Sequence, residues 1–453
     1  MNADATQRRS LWHRVLLAIV AVMVLLIALS IVTWGWLKLN PVKIVEPPPG
    51  VLGLLTAPIP DGANADLIRR GRALTIAGDC VSCHTRAGGH PFEGGLGLQT
   101  PFGVIYSPNI TSDRATGIGD WTPDQFFAAL HRGVAPGSKY LYPALPYPHF
   151  TTIPRSDTDA ILAYLKTVPA EHYVEPGNRL PFPLDVRLSM IAWNAVNFTP
   201  HAFQPDPSKP AAWNRGAYLV QGLGHCGACH TAKTALGAEQ RTRALQGGTL
   251  DNWVAPDLTG NPRTGLGRWS AADIVAYLKT GRNTHSNAAG QMAEVVTYST
   301  SLMPDEDLAA IATYLKTLAP SANVPSPAPA AAAMRAGGAI YADACTACHL
   351  AAGKGQPGMF PPLAGSAAAQ QSDPTGLIRL ILAGGRTAPT LTHPSFQTMP
   401  SFAWKLNDQQ IADVATYVRN SWGNRASPIP ADAVADLRGK LALRHALRRG
   451  DGQ

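Results

Sequence analysis

Charge is scarce in this chain. Asp, Glu, Lys and Arg make up 15% of its 453 residues, too few for a charged helical rod or for a disordered polyelectrolyte. The formal net charge of +8 is not gathered into a stripe interleaved with aromatics, which excludes a nucleic-acid groove. No phosphate-binding glycine loop is present, and no metal-ligand cluster stands apart from the cysteines, so the signs of a cofactor fold for substrate oxidation are missing. Cysteine is scarce as well, and none is spare. All six fall in C-x-x-C pairs, Cys80 with Cys83, Cys226 with Cys229 and Cys345 with Cys348, which leaves nothing for a disulfide framework.

What the chain does have is glycine (42), proline (39) and 45% hydrophobic residues. That composition suits compact domains with short helices and long irregular loops. Each cysteine pair is followed at once by a histidine: His84, His230 and His349. Two cysteines three positions apart present both sulfurs to the two vinyl groups of one haem, and the adjacent histidine supplies the proximal iron ligand. A zinc site usually pairs two C-x-x-C units, and a thioredoxin-like redox pair does not account for the histidine. The motif therefore predicts three covalent haem c groups.

The motif belongs to a longer repeat. A short helix delivers it in RRGRALTIAGDCVSCH, NRGAYLVQGLGHCGACH and AGGAIYADACTACH. A middle helix ending at glycine follows in DQFFAALHRG, ADIVAYLKTG and GLIRLILAGG. A last helix carries an aromatic partway along in DTDAILAYLKTV, DEDLAAIATYLKTL and DQQIADVATYVRNSWG. Apolar residues recur at i, i+3 and i+4, with an acidic or amide residue near each start. The expected fold is mainly α: three tandem class I-like cytochrome c domains over 65–205, 206–320 and 334–424. A proline- and alanine-rich linker at 321–333 precedes the third, and a basic tail at 425–453 follows it. The tail reads as an amphipathic helix with Arg438, Lys440, Arg444, Arg448 and Arg449 on it, suited to anionic lipid or a partner, or simply solvated.

Residues 15–36 carry no charge and are long enough to cross a bilayer core of about 30 Å as one helix. Arg8, Arg9 and Arg14 precede them and Trp12, Trp34 and Trp36 sit at interfacial positions. The expectation is a cytoplasmic segment 1–14, a transmembrane helix 15–36, a linker 37–64 and haem domains on the periplasmic side of the inner membrane.

The sixth iron ligand decides what a haem does besides electron transfer. A methionine thioether closes the iron and raises its potential. Met292 and Met399 stand where this ligand belongs, between the middle and last helices of the second and third domains. At the matching place the first domain has Leu145, which cannot ligate. His149 is the candidate replacement, against an iron that is five-coordinate or water-bound. His131 is less conveniently placed. Met190 and Met303 read as packing residues, and His225 as a local feature beside the second motif.

The runs GDCVSCHT, PFGVIYSPNITSDRATGIGDW and LYPALPYPHF resemble the first domain of tri-haem cytochrome c subunits of membrane-bound bacterial dehydrogenases. GHCGACHT, NWVAPDL and MAEVV resemble the second, and ACTACH, MFPPLAG and QQIADVATYVRNSWG the third. The resemblance implies an electron-transfer subunit that takes electrons from a periplasmic catalytic dehydrogenase subunit and passes them to ubiquinone or another respiratory acceptor. It admits a small iron–sulfur subunit as well. Cys80, Cys83, Cys226, Cys229, Cys345 and Cys348 carry over as haem attachments, His84, His230 and His349 as proximal ligands, and Met292 and Met399 as distal ones. Leu145 departs from the family's methionine. The membrane span leans the partner towards a molybdenum aldehyde dehydrogenase. The alternatives are a pyrroloquinoline quinone or flavin alcohol or sugar-acid dehydrogenase, a haem subunit of a terminal oxidase, or chemistry at an open first haem.

Overall fold

A computed structural model describes residues 19–24 and 50–450, the side chains of 443–450 excepted. The chain divides into a unit of residues 1–47 and a unit of residues 48–453. In the first, residues 19–24 are helical with Ile19, Val22 and Val24 exposed. The rest of the expected span 15–36 lies outside the described residues, and among these no helix is long and apolar enough to cross a membrane.

The second unit is largely helical and builds the same helix pair three times. Ala65–Ala77 crosses Arg155–Leu165, Ala211–Tyr218 crosses Asp305–Leu315, and Ala331–Ala344 crosses Asp408–Arg419. Each crossing is closed by a glycine pressed on the partner's backbone. A Cβ at Gly71, Gly216 or Gly337 would stand 1.8, 2.0 or 2.1 Å from the carbonyl oxygen of Ala160, Ala310 or Asp413. It would also reach within about 3 Å of the Cβ of Tyr164, Tyr314 or Tyr417. The aromatic in each last helix is thus the residue against which the first helix seats. In the second repeat one more residue separates the glycine from its motif than in the first, and a π-turn at Leu219–Leu223 takes it up.

The middle helices, Pro123–Arg132, Ala271–Thr280 and Thr375–Ala383, end at Gly133, Gly281 and Gly384 with φ of 65°, 73° and 74°. These are left-handed values that stop a helix cheaply only at glycine. Capping boxes open the first two domains' middle helices, at Thr122 with Gln125 and at Ser270 with Asp273, and the third domain's last helix, at Asn407 with Gln410.

Strand structure among the described residues is four two-stranded antiparallel ribbons. Two occupy equivalent places after the first and second motifs: Gly97–Thr100 with Gly103–Tyr106, and Gly248–Leu250 with Trp253–Ala255. In the latter, Asp251 and Asn252 turn the chain at φ of 53° and 58°, the geometry of a type I′ hairpin.

The first two domains share one continuous core in which Leu74, Ile161 and Leu165 are joined by Leu219, Leu223, Leu308 and Leu315. Tyr218 donates to Asp157 across that boundary at 2.7 Å, and Arg70 pairs with the same carboxylate. The third domain has its own core, and it does not stop at residue 424 as the sequence suggests. Ile429, Val434 and Leu437 are buried in it. Buried Arg419 donates to the carbonyls of Ala369, Gln371 and Ser427. Arg438, expected on a free basic face, pairs with Asp408 at 2.7 Å and donates to the carbonyls of Ala403 and Leu406. The start of the tail is therefore part of the domain.

Candidate haem-attachment sites

Each cysteine pair and its histidine lie on one helical turn, which aims the three side chains together. The histidine N–H donates to the first cysteine's carbonyl in every copy: His84 to Cys80 at 3.0 Å, His230 to Cys226 at 2.9 Å and His349 to Cys345 at 2.9 Å. The turn is entered differently in the three sites. Asp79 and His225 take left-handed φ of 47° and 38° just before the first and second motifs, so His225 owes its place to a backbone corner. The third motif follows directly from the helix Ala331–Ala344.

The decisive feature recurs at all three histidines. The Nδ1 of His84 lies 2.8 Å from the Pro108 carbonyl oxygen, that of His230 2.6 Å from Pro256, and that of His349 3.1 Å from Pro361. A carbonyl can only accept, so Nδ1 carries the proton and Nε2 keeps its lone pair. Burial lowers the proton affinity of all three rings, with the proline carbonyl offsetting part of the loss, which keeps the imidazoles neutral and ready to ligate. The thiols are not poised for other chemistry. Burial pushes Cys80 and Cys226 up to about 12 and Cys345 up to about 11, away from the lowered values of reactive or metal-binding thiolates. All six cysteines are free of disulfides. Two neutral thiols beside a neutral imidazole with an open Nε2 fit a haem held by thioethers and one axial nitrogen, which supplies one-electron redox chemistry when bound.

These prolines were not singled out in the sequence, although a signal is there. Each precedes an aliphatic residue by two positions, in PNI, PDL and PPL, on the loop after its motif.

Met292 and Met399 lie between the middle and last helices of their domains, Met292 in the first turn of the helix Gln291–Tyr298 and Met399 in a short strand. Met292, like Tyr277, packs against a small buried cluster of Ala288, Ala293, Val296 and Ala388. Met399 lies in the short strand Thr398–Met399, paired with Gly385–Arg386 and packed on the third core. A Cβ at Gly384 would stand 2.4 Å from the Met399 carbonyl oxygen, so the glycine that ends the middle helix also admits the methionine's strand.

His149, the candidate sixth ligand of the first site, lies at the boundary with the second domain. Its Nδ1 lies 2.7 Å from the Gln221 carbonyl oxygen and its Nε2 2.7 Å from Glu239 Oε1, both in the second domain. Its ring abuts the second motif, where a Cβ on Gly227 would be 2.8 Å from His149 Cε1. With both nitrogens held by protein, the ring braces the boundary between the two domains. Leu145 packs partly buried against the shared core, and His131 stacks on Phe127 at 4.7 Å.

Burial by itself would raise the Glu239 carboxyl, but the His149 ring and the Lys233 ammonium, 3.0 Å away, hold it at about 2. A folded value below the ordinary 4.5 stabilises the fold above that pH and stops doing so as pH falls towards 2. We expect Glu239→Gln to cost on the order of 3 kcal/mol at neutral pH. Its acid denaturation curve should also be flatter than the parent's between about pH 4.5 and 2. Thermal melts across that range check both.

The first and second sites lie close to one another. The helix Gln291–Tyr298, which bears Met292, packs on the turn Cys80–Cys83, and Cys229 acts electrostatically on the Cys83 thiol. The second domain also meets the third. Ala289 bridges to Thr387, Thr297 donates to the Pro389 carbonyl at 2.9 Å, and Asn287 to that of Met359 at 3.1 Å.

A cytochrome c family model matches residues 214–319 and 334–422. The gluconate 2-dehydrogenase cytochrome c subunit of Pantoea cypripedii is 41% identical over 413 residues, covering 86% of this chain and 93% of that protein. The chain belongs to the cytochrome c subunits of dehydrogenase complexes. Similar relatives of this cytochrome include the cytochrome c subunit of the quinone alcohol dehydrogenase of Gluconacetobacter polyoxogenes, 40% identical over 412 residues (85% of this chain, 87% of that one). The fructose dehydrogenase cytochrome subunit of Gluconobacter japonicus is 36% identical over 415 residues (84% and 85%).

Proposed function

We propose that the cytochrome carries three covalent haems, one at each C-x-x-C-H turn. It relays electrons from a separate catalytic dehydrogenase subunit, through the centrally placed second domain, to membrane ubiquinone. The observation that carries this reading is the threefold pairing of a motif histidine's Nδ1 with a proline carbonyl. It prepares three equivalent axial nitrogens in one chain. Met292 and Met399 are the distal ligands of the second and third irons. The apolar span 15–36 anchors the protein in the inner membrane with the haem domains outside the cytoplasm.

An alcohol- or sugar-oxidising partner is the first reading, because relatives aligned along most of both chains are named for gluconate, alcohol and fructose dehydrogenases. A molybdenum aldehyde dehydrogenase with a small iron–sulfur subunit stands second, resting on the membrane span. The test is purification of the native complex in mild detergent. The haems should be reduced on adding the partner's substrate and reoxidised by a short-chain ubiquinone, and metal and cofactor analysis then distinguishes the two partners. A cytochrome that emerges with no cofactor-bearing partner contradicts the reading.

Leucine at position 145 leaves the first iron without a methionine, and His149 is occupied elsewhere. After reduction, carbon monoxide is expected to change the Soret spectrum of one haem in three, and Leu145→Met to remove that change. No spectral response in the parent contradicts an open first iron.

A further inference from the structure

The segment joining the first two domains bears a helix, Ser189–Asn197, whose two sides differ sharply. The inner side is pinned. Met190 is buried, Asn194 accepts from the Tyr147 hydroxyl at 2.6 Å, and the Trp193 indole donates to the Leu236 carbonyl at 2.8 Å. The outer side consists of Leu188, Ile191, Ala192, Ala195 and Val196, all exposed, at the i, i+3, i+4, i+7 and i+8 spacing of one helical stripe. Leu188 is 64% exposed, Ile191 48% and Val196 78%, and the neighbouring Leu236 is 60% and Phe182 82%. Soluble surfaces rarely leave such a contiguous apolar stripe uncovered without a use for it.

We infer that this helix lies on an anionic phospholipid surface with its aliphatic stripe among the acyl chains. Two observations favour lipid over a protein partner. The stripe presents only hydrocarbon side chains, with no donor or acceptor, whereas protein interfaces intersperse hydrogen bonds through the contact. The rim is cationic at both ends. Arg187, half-buried, with its guanidinium donating to the Tyr140 carbonyl at 3.0 Å and lying 4.9 Å from the centroid of the Tyr142 ring, stands one residue before the stripe, and Arg241 donates to the Asn197 carbonyl at the helix's far end at 3.1 Å, with exposed Arg243 two residues on. The one carboxylate between residues 178 and 204 is Asp185. Guanidinium groups near both ends of an apolar stripe are the complement of lipid phosphates above acyl chains. The inference rests on the membrane part of the proposed function and assigns a second contact to it, separate from the span 15–36.

The test uses the full holo-cytochrome in its native complex, carrying Val196→Cys labelled with a benzophenone maleimide. The six native cysteines are expected to be blocked as thioethers. The complex is mixed with phosphatidylcholine vesicles, with or without phosphatidylglycerol, floated and irradiated, and the chain's intact mass is read. A phospholipid adduct at position 196, several-fold more abundant with phosphatidylglycerol and missing from the exposed control Ala309→Cys, is the expected result. A crosslink from 196 to another protein chain overturns the inference and makes the stripe a subunit interface. Flotation with no adduct at 196 overturns it while leaving the anchor standing. Failure to float overturns the membrane reading and this inference together.

Discussion

Gly216→Val is expected to leave the second domain unable to close, with loss of most folded holo-protein. A first side-chain carbon at this position would stand 2.0 Å from the Ala310 carbonyl oxygen, 2.6 Å from its carbon and 2.9 Å from the Tyr314 Cβ. All of these belong to helix backbone or to atoms rigidly attached to it, so the clash is relieved only by moving the two helices apart. Separation would strain the neighbouring Arg215–Asp307 pair at 2.7 Å and the Gln221–Tyr314 contact. Overpacking alone typically costs about 1–3 kcal/mol, and a backbone clash of this depth lies at or above the top of that range. Net folding stability is only about 5–15 kcal/mol. Gly71→Val and Gly337→Val should act alike in their own domains. Gly53→Val is the control, because nothing lies within 4 Å of its added carbon. Soret-region circular dichroism melts compare the four. Unchanged melting of Gly216→Val would contradict the helix-crossing account.

The second large effect is expected from replacing Cys226 and Cys229 together by serine. Pyridine haemochrome should report two haems per chain in place of three, since neither of the other sites shares a cysteine with this one. Because the second domain touches both others, losing its haem should also cut substrate-driven reduction of ubiquinone to near background, while reduction of the remaining haems by dithionite is complete. Full quinone reduction by the two-haem variant would contradict a relay through the centre. His230→Ala distinguishes attachment from ligation. The thioethers should form, but the spectrum of one haem should lose its proximal histidine.

Much of this was legible in the sequence because it is local. A C-x-x-C-H turn, a helix with apolar residues at i, i+3 and i+4, and a glycine that halts the middle helix all express themselves within about ten residues. The three glycines at the helix crossings are visible in the same strings, but their role depends on a carbonyl some 75–95 residues away in the chain. The proline carbonyls that orient the histidines are backbone atoms, which side-chain reasoning passes over. The partners of His149 are hidden from the sequence for a related reason. Its neighbours in sequence put it near the first haem's distal loop, while its hydrogen bonds run to Gln221 and Glu239 in the next domain. The tail after residue 424 shows a basic side in its sequence, whereas buried Ile429, Val434 and Leu437 decide where its start lies.

The central claim is that one chain holds three prepared haem sites. The most direct measurement is the intact mass of the purified holo-chain under denaturing conditions, which retains only covalently held haem. The account predicts the mass of the polypeptide plus three haems, with peptides containing Cys80–Cys83, Cys226–Cys229 and Cys345–Cys348 each carrying one. A chain bearing two haems, with one cysteine pair unmodified in protein matured by its native host, would contradict it.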